Sequence, residues 1–381
     1  MTGRNQDTKA ELYPMVEKLV VQLVKKLMEV KNEMFRQPHD PGSWAWLVDE
    51  RPYPLASLII HALGASSVEE RDVIYLIAMS IISEMKKGED QVLQLAADPL
   101  IRRTIERLQT PEDYEFHVPI SARNDSNFTL DIGGTHKLKI ESLANRGRPR
   151  MVFSGRVNAI HEYHSSRQIE ADVKSLIGLS ISMGMAELFP SGPVYEMPVI
   201  EFLNKTIKVP FDPTIGGLVS RTRLALPNDL DELETRRLAG RDASAGLERR
   251  LRVLTNILSS TSERGEELRT ASVLLFDAFA TLEPGMAIGI AFMSMEAVLL
   301  DPKAKESILA RLSEAVAYRL GKSSDDRTRL RKRIKELYQA RCDFVHTGRV
   351  REPSTVVNEA RDIAADVLRR EIFDLDADSE S

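Results

Sequence analysis

KELYQARCDFVHTG, residues 335–348, is the stretch of sequence that decides the fold of the C-terminal part of this chain. Apolar residues recur in and before it at the i, i+3, i+4 spacing of one helical face, so we predict a helix with a buried side. Gly348 is suited to end that helix in a left-handed cap, which places His346 in the last turn. The predicted buried face consists of Leu330, Ile334, Leu337, Tyr338, Cys342 and Val345.

The same stretch contains an arginine and a histidine, Arg341 and His346, separated by four residues. Arg and His at about this spacing are expected roughly twice by chance in a chain of this composition. The chain has a second such pair, Arg156 and His161, in a segment with a strand pattern. The spacing alone therefore does not identify a site, and the surroundings of each pair have to separate them.

A run of positive charge surrounds the C-terminal pair. Residues 322–351 include ten Lys or Arg and four Asp or Glu, in a chain whose net charge is −5. A phosphate near this surface would meet a concentrated positive field. The alternative is a solvated helix face, because the macrodipole favours cations near a helix C-terminus whatever the function. The candidate phosphate-binding residues are Arg327, Arg329, Arg331, Lys332, Arg333, Lys335 and Arg349.

The order of segments from 266 to 350 resembles the Apea-like branch of the HEPN superfamily, over roughly the last third of the chain. The matching segments are ELRTASVLLFDAF, IAFMSMEAVLLD, ILARLSEAVAYRLG and KELYQARCDFVHTG. The second has an acid, Glu296, inside an otherwise apolar helix. The family signature ends in a Tyr-x-x-Arg-[Ser]-x-x-Val-His-Gly-like segment. This chain has Tyr338, Arg341, Cys342, Val345, His346, Thr347 and Gly348 there.

The resemblance implies an up-and-down helical bundle that forms a homodimer and, in catalytic members, cleaves RNA without a metal or another cofactor. By this interpretation His346 is general base or acid, because attack by the ribose 2′-hydroxyl needs a group that titrates near neutral pH. Arg341 is the electrostatic clamp on the phosphorane-like transition state, and the product is a 2′,3′-cyclic phosphate. The basic residues around them become candidate RNA-binding residues.

Helix geometry adds a prediction about the assembly. Five positions along a helix leave two side chains about 140° apart around the axis, so one helix does not easily aim both at one phosphate. We therefore predict that Arg341 of one subunit and His346 of the other converge across a two-fold axis.

Four neighbouring residues have supporting roles in this interpretation, each with a structural alternative. Asp343 orients the histidine or is a solvated acid that neutralises the basic run. Glu296 pairs with Arg341 or lies at the bundle edge. Tyr338 stacks on a base or packs in the core, which is the commoner use of tyrosine. Cys342 stands where the family has Ser or another small polar residue, and is a small buried filler or a weak donor.

Composition excludes several other classes of site. A single cysteine leaves no internal disulfide and no cysteine-based metal cluster. His161-Glu162-Tyr163-His164 is not the HExxH motif, and we assign it to the surface or to a strand end. The longest apolar run, residues 286–300, is short of a bilayer span, and the first residues lack the order of a signal peptide. We therefore expect a cytoplasmic protein with no metal and no membrane partner.

The whole chain is predicted to be mainly α with an α+β middle region. Residues 1–110 have helical periodicity, with a capping-box match at residues 67–70 ahead of a helix at 73–85. In residues 111–230, alternating segments flank Gly133-Gly134 and predict a hairpin, followed by a helix at 168–188 and a strand-like piece at 207–209. Residues 231–381 form the helical bundle, and its acidic end from Asp374 is expected to be frayed.

Two functions from different classes fit the sequence. The first is a metal-independent endoribonuclease, a hydrolase of the toxin or antiviral-defence kind, in which residues 1–230 sense a trigger or bind a regulatory partner. The intact pair of Arg341 and His346 in a basic surface favours it. The second is a non-catalytic HEPN-like dimerisation or nucleotide-binding module, because one fold hosts many functions. Cys342 and the acidic net charge favour this second function.

Overall fold

The structure, a computed structural model, divides the chain into two compact units. The first comprises residues 1–114 and 157–167, and the second comprises residues 115–156 and 168–381. The chain is mostly helical within the described residues. These are 12–23, 54–63, 69–86, 97–122, 129–131, 137–141, 150–188, 198–205, 207–224, 243–301, 307–347 and 353–379.

Helices of the first unit pack around one apolar cluster, as the periodicity of residues 1–110 predicts. A helical segment at 12–23 precedes α1 (Pro54–Leu63), α2 (Glu70–Lys86) and α3 (Ala97–Gln109). Aliphatic side chains of all four segments are buried against one another. Fully buried members of this cluster include Leu12, Leu19, Leu23, Ile59, Ile77 and Ile81.

The start of α2 differs from the predicted capping box, whose Ser67 lies outside the described residues. The helix begins at Glu70, and Asp72 Oδ2 accepts a hydrogen bond from Glu69 N at 2.8 Å. The Arg167 guanidinium also donates to the fully buried Asp72 carboxylate. The cap is therefore fixed by an arginine that is distant in sequence, which a local motif does not reveal.

One sheet of eight strands supplies the β structure. The strands are β1 (Glu112–Ala122), β2 (Thr129–Asp131), β3 (Lys137–Glu141), β4 (Arg150–Ala159), β5 (Ala186–Leu188), β6 (Val199–Phe202), β7 (Ile207–Pro210) and β8 (Thr222–Leu224). The order is β2-β3-β4-β1-β6-β7, and β8 pairs with both β1 and β5. The β1–β8 pair is parallel, whereas β2–β3, β3–β4, β5–β8, β1–β6 and β6–β7 are antiparallel.

The predicted hairpin and the predicted strand near residue 207 are both confirmed. In the hairpin, β2 and β3 pair antiparallel with Leu130 opposite Leu138, while Gly133-Gly134 lies outside the described residues. The strand-like piece at 207–209 is β7, which pairs with β6 at the end of the sheet order. The α+β character of the middle region therefore follows from its two-residue periodicity.

Helix α4 (Glu162–Ser182) begins and ends earlier than the helix predicted at 168–188. It ends because Gly184 has a φ of 71°, in the left-handed region that favours glycine. Beyond it, Met185 N donates to Ser180 O at 2.7 Å, which closes the helix end. The last three residues of the predicted helix are instead strand β5.

Seven more helices lie within the described residues of the second unit. They are α5 (Pro213–Arg221), α6 (Ala243–Ser259), α7 (Glu263–Ala280), α8 (Pro284–Leu299), α9 (Ile308–Leu320), α10 (Ser324–Thr347) and α11 (Pro353–Ser379). Helix α8 contacts α7, α9, α10 and α11, so it is the central helix of this group. Its buried residues include Ile288, Phe292 and Met295.

Helix α4 joins the middle region to the C-terminal helices. Ser175 Oγ lies 3.0 Å from Ser272 Oγ of α7, and Lys174 Nζ lies 2.8 Å from Asp277 Oδ1. At Gly178 the two backbones are so close that a Cβ would lie 2.0 Å from the Ser272 carbonyl oxygen. The predicted boundary near residue 230 therefore falls inside one compact unit.

The C-terminal end corrects a prediction. Helix α11 continues to Ser379, so the acidic end from Asp374 is helical as far as that residue and is not frayed there. Asp374 accepts from Arg319 Nη1 at 2.8 Å and pairs with Arg370 one turn earlier at 3.3 Å. The acidic residue is thus held by cations of α9 and of its own helix.

Candidate active site at the end of helix α10

The predicted C-terminal helix is α10, and its start is well capped. Ser323 Oγ accepts from Asp326 N at 3.2 Å, and Asp326 Oδ2 accepts from Lys322 N at 3.0 Å. That hydrogen bond, with help from the Arg329 guanidinium, lowers the pKa of Asp326. The helix ends with His346 in its last turn as predicted, while Gly348 lies outside the described residues.

Helices α8 and α10 pack closely because α8 has glycine where α10 crosses it. A Cβ at Gly285 would lie 1.9 Å from the Phe344 ring, which no side chain can tolerate without displacing that ring. Further along α8, the rings of Phe292 and Tyr338 meet edge to face with centroids 5.4 Å apart. Tyr338 therefore packs against the core, in agreement with the structural alternative for this residue.

The buried face predicted for α10 is partly confirmed. Ile334 and Leu337 are fully buried, whereas Leu330, Tyr338 and Cys342 are half-buried. Cys342 is a free thiol. The helix therefore has its firmest contacts in the middle, and its C-terminal turns are more accessible.

Arg341 is half-buried on the side of α10 that faces α8. Its guanidinium carbon lies 5.2 Å from the centre of the Tyr338 ring, a cation–π arrangement. Its Nε lies 3.7 Å from the point where a Cβ would stand on Gly289 of α8. Arg341 forms no ion pair with any described residue at salt-bridge distance, which distinguishes it from most cations of the same helix.

Glu296 is the acid nearest to Arg341 in its electrostatic effect. Its Oε1 is buried and accepts no hydrogen bond within the described part of the chain. Burial raises the pKa of Glu296 above its ordinary value, and the charge of Arg341 opposes that rise. Glu296 and Arg341 form no ion pair at salt-bridge distance, so their partnership stays a prediction.

His346 is exposed and forms no hydrogen bond with the described residues. Asp343, also exposed, accepts from Gln339 Nε2 at 2.7 Å, one turn earlier on the same helix. Arg341 faces α8 while His346 is open to solvent, in keeping with their angular separation along one helix. A single chain therefore does not aim this arginine and this histidine at one point.

Acids from neighbouring helices pair with much of the predicted basic surface. Arg331 Nη2 lies 2.8 Å from Glu314 of α9, and Arg333 lies 2.7 Å from both Glu359 of α11 and Glu336. These contacts raise the pKa of Arg333 and lower that of Glu359. The sequence count missed Glu314 and Glu359 because only the fold brings them to α10.

The remaining candidate cations are less strongly held. Arg329 pairs with Asp326 of the first turn, but its side chain is 80% exposed. The side chain of Lys332 is 82% exposed, and its Nζ lies 3.9 Å from Glu336 Oε1. Arg327 stacks over the Tyr318 ring at 5.3 Å, and Lys335 is exposed. Arg349 lies outside the described residues. The open cations of α10 are thus fewer than the sequence suggests.

The other histidine pair, His161 and His164, corrects an expectation. His161 lies at a strand end, between β4 and α4, and His164 lies in the first turn of α4, but each is only 2% exposed and neither is on the surface. His161 Nε2 lies 2.7 Å from the Asp72 carbonyl oxygen, and His161 Nδ1 accepts from His164 N at 3.0 Å. Burial is the main cause that lowers the pKa of His161 to about 3.

Metal ligation and membrane crossing find no support in the described part of the chain. Its His, Cys, Asp and Glu residues do not gather in any group of three or more that could hold a metal ion. None of its helices combines the length and the apolar character that crossing a bilayer requires.

Comparison with known proteins found no match: no family model matches the chain, and no curated protein and no solved structure is significantly similar to it.

Proposed function

We propose that the protein is a metal-independent endoribonuclease of the HEPN type, whose C-terminal helices form an up-and-down bundle with Arg341 and His346 as its catalytic residues. One observation carries the proposal: Arg341 makes no ion pair with any described residue, although Arg331 and Arg333 of the same helix do. An arginine that is positioned by an aromatic ring and two helices, yet keeps its guanidinium donors available, suits a phosphate.

The chemistry follows from these two side chains. His346, acting as general base, takes the proton of the ribose 2′-hydroxyl, and the 2′-oxygen then attacks the adjacent phosphorus. Arg341 stabilises the negative charge that develops on the phosphorane oxygens. The bond from phosphorus to the 5′-oxygen breaks, and that oxygen leaves with a proton. The products are a 2′,3′-cyclic phosphate and a 5′-hydroxyl.

The arrangement of the two residues supports a site shared by two copies of the chain. An exposed apolar stripe lies just before and along α8, beside the contact of α8 with Arg341. Leu282 is 85% exposed, Met286 is 55% exposed and Met293 is 46% exposed. A second copy that covers this stripe would bury apolar surface and bring its own His346 towards Arg341. We therefore propose a homodimer through the C-terminal helices.

The test is cleavage of total RNA and tRNA by the purified protein in excess EDTA. Cleavage that persists in EDTA and disappears in both His346→Ala and Arg341→Ala supports the proposal, provided that circular dichroism shows both variants to be folded. Cleavage by either variant at the rate of the wild type would refute the assignment of that residue. Cyclic-phosphate ends, detected by their resistance to a phosphomonoesterase until acid opens them, identify the reaction.

A second candidate function is a non-catalytic dimerisation or nucleotide-binding module. The acid pairing of Arg331 and Arg333 favours it, because paired arginines offer less charge to a polyanion. Cys342 at a position where the family has a small polar residue favours it as well. A protein that is dimeric by light scattering and inert towards RNA would select this alternative.

The wider biological role also belongs to the proposal. Toxin and antiviral-defence nucleases need a means of restraint, and residues 1–230 are the part of the chain that could sense a trigger or bind a regulatory partner. A cytoplasmic location agrees with RNA as substrate. Coexpression with a neighbouring gene that abolishes toxicity in a growth assay would identify such a partner.

A further inference from the structure

The position of Glu296 is unusual for a carboxylate. It lies inside the apolar helix α8, it is half-buried, and Oε1 is a buried atom that accepts no hydrogen bond from the described residues. Burying a carboxylate oxygen without a hydrogen bond is unfavourable. Some other interaction must therefore stabilise the charged form of Glu296 wherever that form exists.

Arg341 is the charged group that acts on this carboxylate. Glu296 lies on the same face of α8 as Gly289 and Phe292. Gly289 lies next to Arg341, and the Phe292 ring contacts Tyr338. Of the described charged side chains on α7, α9, α10 and α11, which pack against α8, Arg341 is the one with an electrostatic effect on Glu296. The two residues make no ion pair at salt-bridge distance, so their charges attract each other over a longer distance.

A phosphate at Arg341 would disturb this balance. A guanidinium that donates to phosphate oxygens is neutralised by them, so its attraction for Glu296 falls. The phosphate also brings a second negative charge near the carboxylate. Burial already holds the pKa of Glu296 above its ordinary value, and both effects raise it further. Protonation of Glu296 relieves the repulsion and leaves a neutral carboxyl group at the interface.

We propose that Glu296 is a counter-anion of Arg341 across the α8–α10 interface, and that RNA binding at Arg341 is coupled to the uptake of one proton by the Glu296 carboxylate. This inference rests on the proposed function, because an RNA phosphate is the ligand that neutralises Arg341. Glu296 is here a positioning residue, since it acts on the substrate through Arg341.

The direction of the pH dependence follows from linkage. Between the pKa of Glu296 in the free protein and its higher pKa in the complex, the free protein binds fewer protons than the complex, so RNA binding tightens as the pH falls through that range. Uptake of one proton corresponds to an affinity change of up to about tenfold per pH unit. Glu296→Gln is neutral at every pH, so it removes this dependence and binds RNA more tightly than its parent at neutral and alkaline pH.

The experiment measures RNA binding without cleavage. Full-length protein with His346→Ala is titrated with a fluorescent RNA that has a 2′-O-methyl group on every ribose, at constant ionic strength from pH 5.5 to pH 8.5. Fluorescence anisotropy gives the dissociation constant at each pH. Calorimetry in two buffers of different ionisation enthalpy counts the protons taken up on binding.

Two further variants in the same background make the result specific. Glu267→Gln on α7 removes the same charge from an acid that pairs with Arg264 at 2.6 Å, so it controls for a general weakening of RNA repulsion. Arg341→Ala removes the group through which Glu296 acts. The expected result is proton uptake and steep pH dependence in the parent and in Glu267→Gln, and neither in Glu296→Gln.

The outcomes separate the inference from the proposed function. If binding requires Arg341 but Glu296→Gln has the pH profile and proton uptake of its parent, the counter-anion role is wrong and the site stands. If Arg341→Ala binds RNA as well as its parent does, the site itself is wrong and the inference falls with it. A gain of affinity in Glu267→Gln equal to that in Glu296→Gln also overturns the inference, because the effect is then general electrostatics.

Discussion

The two arginine–histidine pairs of this chain have the same spacing and opposite environments. His161, at the junction of β4 and α4, is buried and uses both ring nitrogens in hydrogen bonds to the backbone. His346, at the end of α10, is exposed and bonds to no described residue. Arg156 is paired with Glu115, whereas Arg341 has no ion-pair partner in the described part of the chain. The spacing is equal, and only the surroundings differ.

The difference shows that a histidine can stabilise the fold in one place, as His161 does, and be available for catalysis in another, as we propose for His346. His161 accepts the N–H of the third residue of α4, which is the role of a helix N-cap. Its pKa of about 3 keeps it neutral at physiological pH, so it cannot exchange protons there. The ring of His346 is exposed and makes no hydrogen bond to the described residues, so it is open to contact with a substrate.

The largest expected effect is on the rate of RNA cleavage, which should depend on His346 and not on His161. We predict that His346→Ala lowers the rate of RNA cleavage by about 10²- to 10⁴-fold, the usual contribution of general acid–base catalysis. His161→Asn, which keeps a capping oxygen, should retain the rate of the wild type per folded molecule. Initial rates in EDTA, normalised to the folded fraction, check both. An equal loss in the two variants would contradict the assignment of roles.

The second prediction concerns the free energy of unfolding, for which His161 should matter more than His346. We expect His161→Ala to lower the free energy of unfolding of its unit by about 2–4 kcal/mol, because it removes an N-cap and leaves the Asp72 carbonyl oxygen unsatisfied. His346→Ala should change it by about 0.5 kcal/mol or less, as for an exposed residue. Urea unfolding followed by circular dichroism measures both. A larger effect of His346→Ala would mean that it has a structural partner.

A third prediction concerns the glycines that bring α10 against α8. Gly285→Ala places a methyl group where the Phe344 ring lies, so we expect a loss of about 1–3 kcal/mol and a loss of activity as the end of α10 moves. Gly289→Ala is the matched control, since its Cβ would lie at an ordinary contact distance of 3.7 Å from Arg341 Nε. A greater loss of stability and activity in Gly289→Ala than in Gly285→Ala would refute this account of the packing.

The fourth prediction is the pH dependence of stability due to His161. Its pKa is about 3 in the folded protein and about 6.5 when unfolded, so the unfolded state binds the additional proton between these values. Stability should therefore fall as the pH is lowered from about 6.5 towards 3. Thermal unfolding across this range should show a weaker acid loss in His161→Asn than in the wild type. If the curves of the two proteins are parallel, groups other than His161 cause the loss of stability at low pH.

The sequence predicts well where one element follows a local period. The hairpin of β2 and β3 and the helix α10 were both predictable, because alternation of residues such as Leu130 and Leu138 and the helical repeat of Ile334 and Leu337 are local signals. The position of His346 in the last turn was predicted from Gly348, which is suited to end the helix. These predictions needed no knowledge of tertiary contacts.

Predictions that depend on distant residues were less successful. The cap of α2 depends on Asp72 and its contact with Arg167, and the cations of α10 are paired by Glu314 and Glu359 of other helices. The burial of His161 likewise depends on α2. Gly285 and Gly289, four residues apart in an apolar helix, were a local signal of close helix packing, because glycines at that spacing let another helix approach.

The most direct test of the central claim, that Arg341 and His346 act together across two subunits, is complementation between two inactive variants. Arg341→Ala and His346→Ala are mixed after exchange of subunits, and RNA cleavage is measured in EDTA. With random pairing, half of the dimers are mixed and each has one intact site, so the mixture should recover about a quarter of the wild-type rate. A mixture that remains as inactive as either variant alone would contradict the shared site.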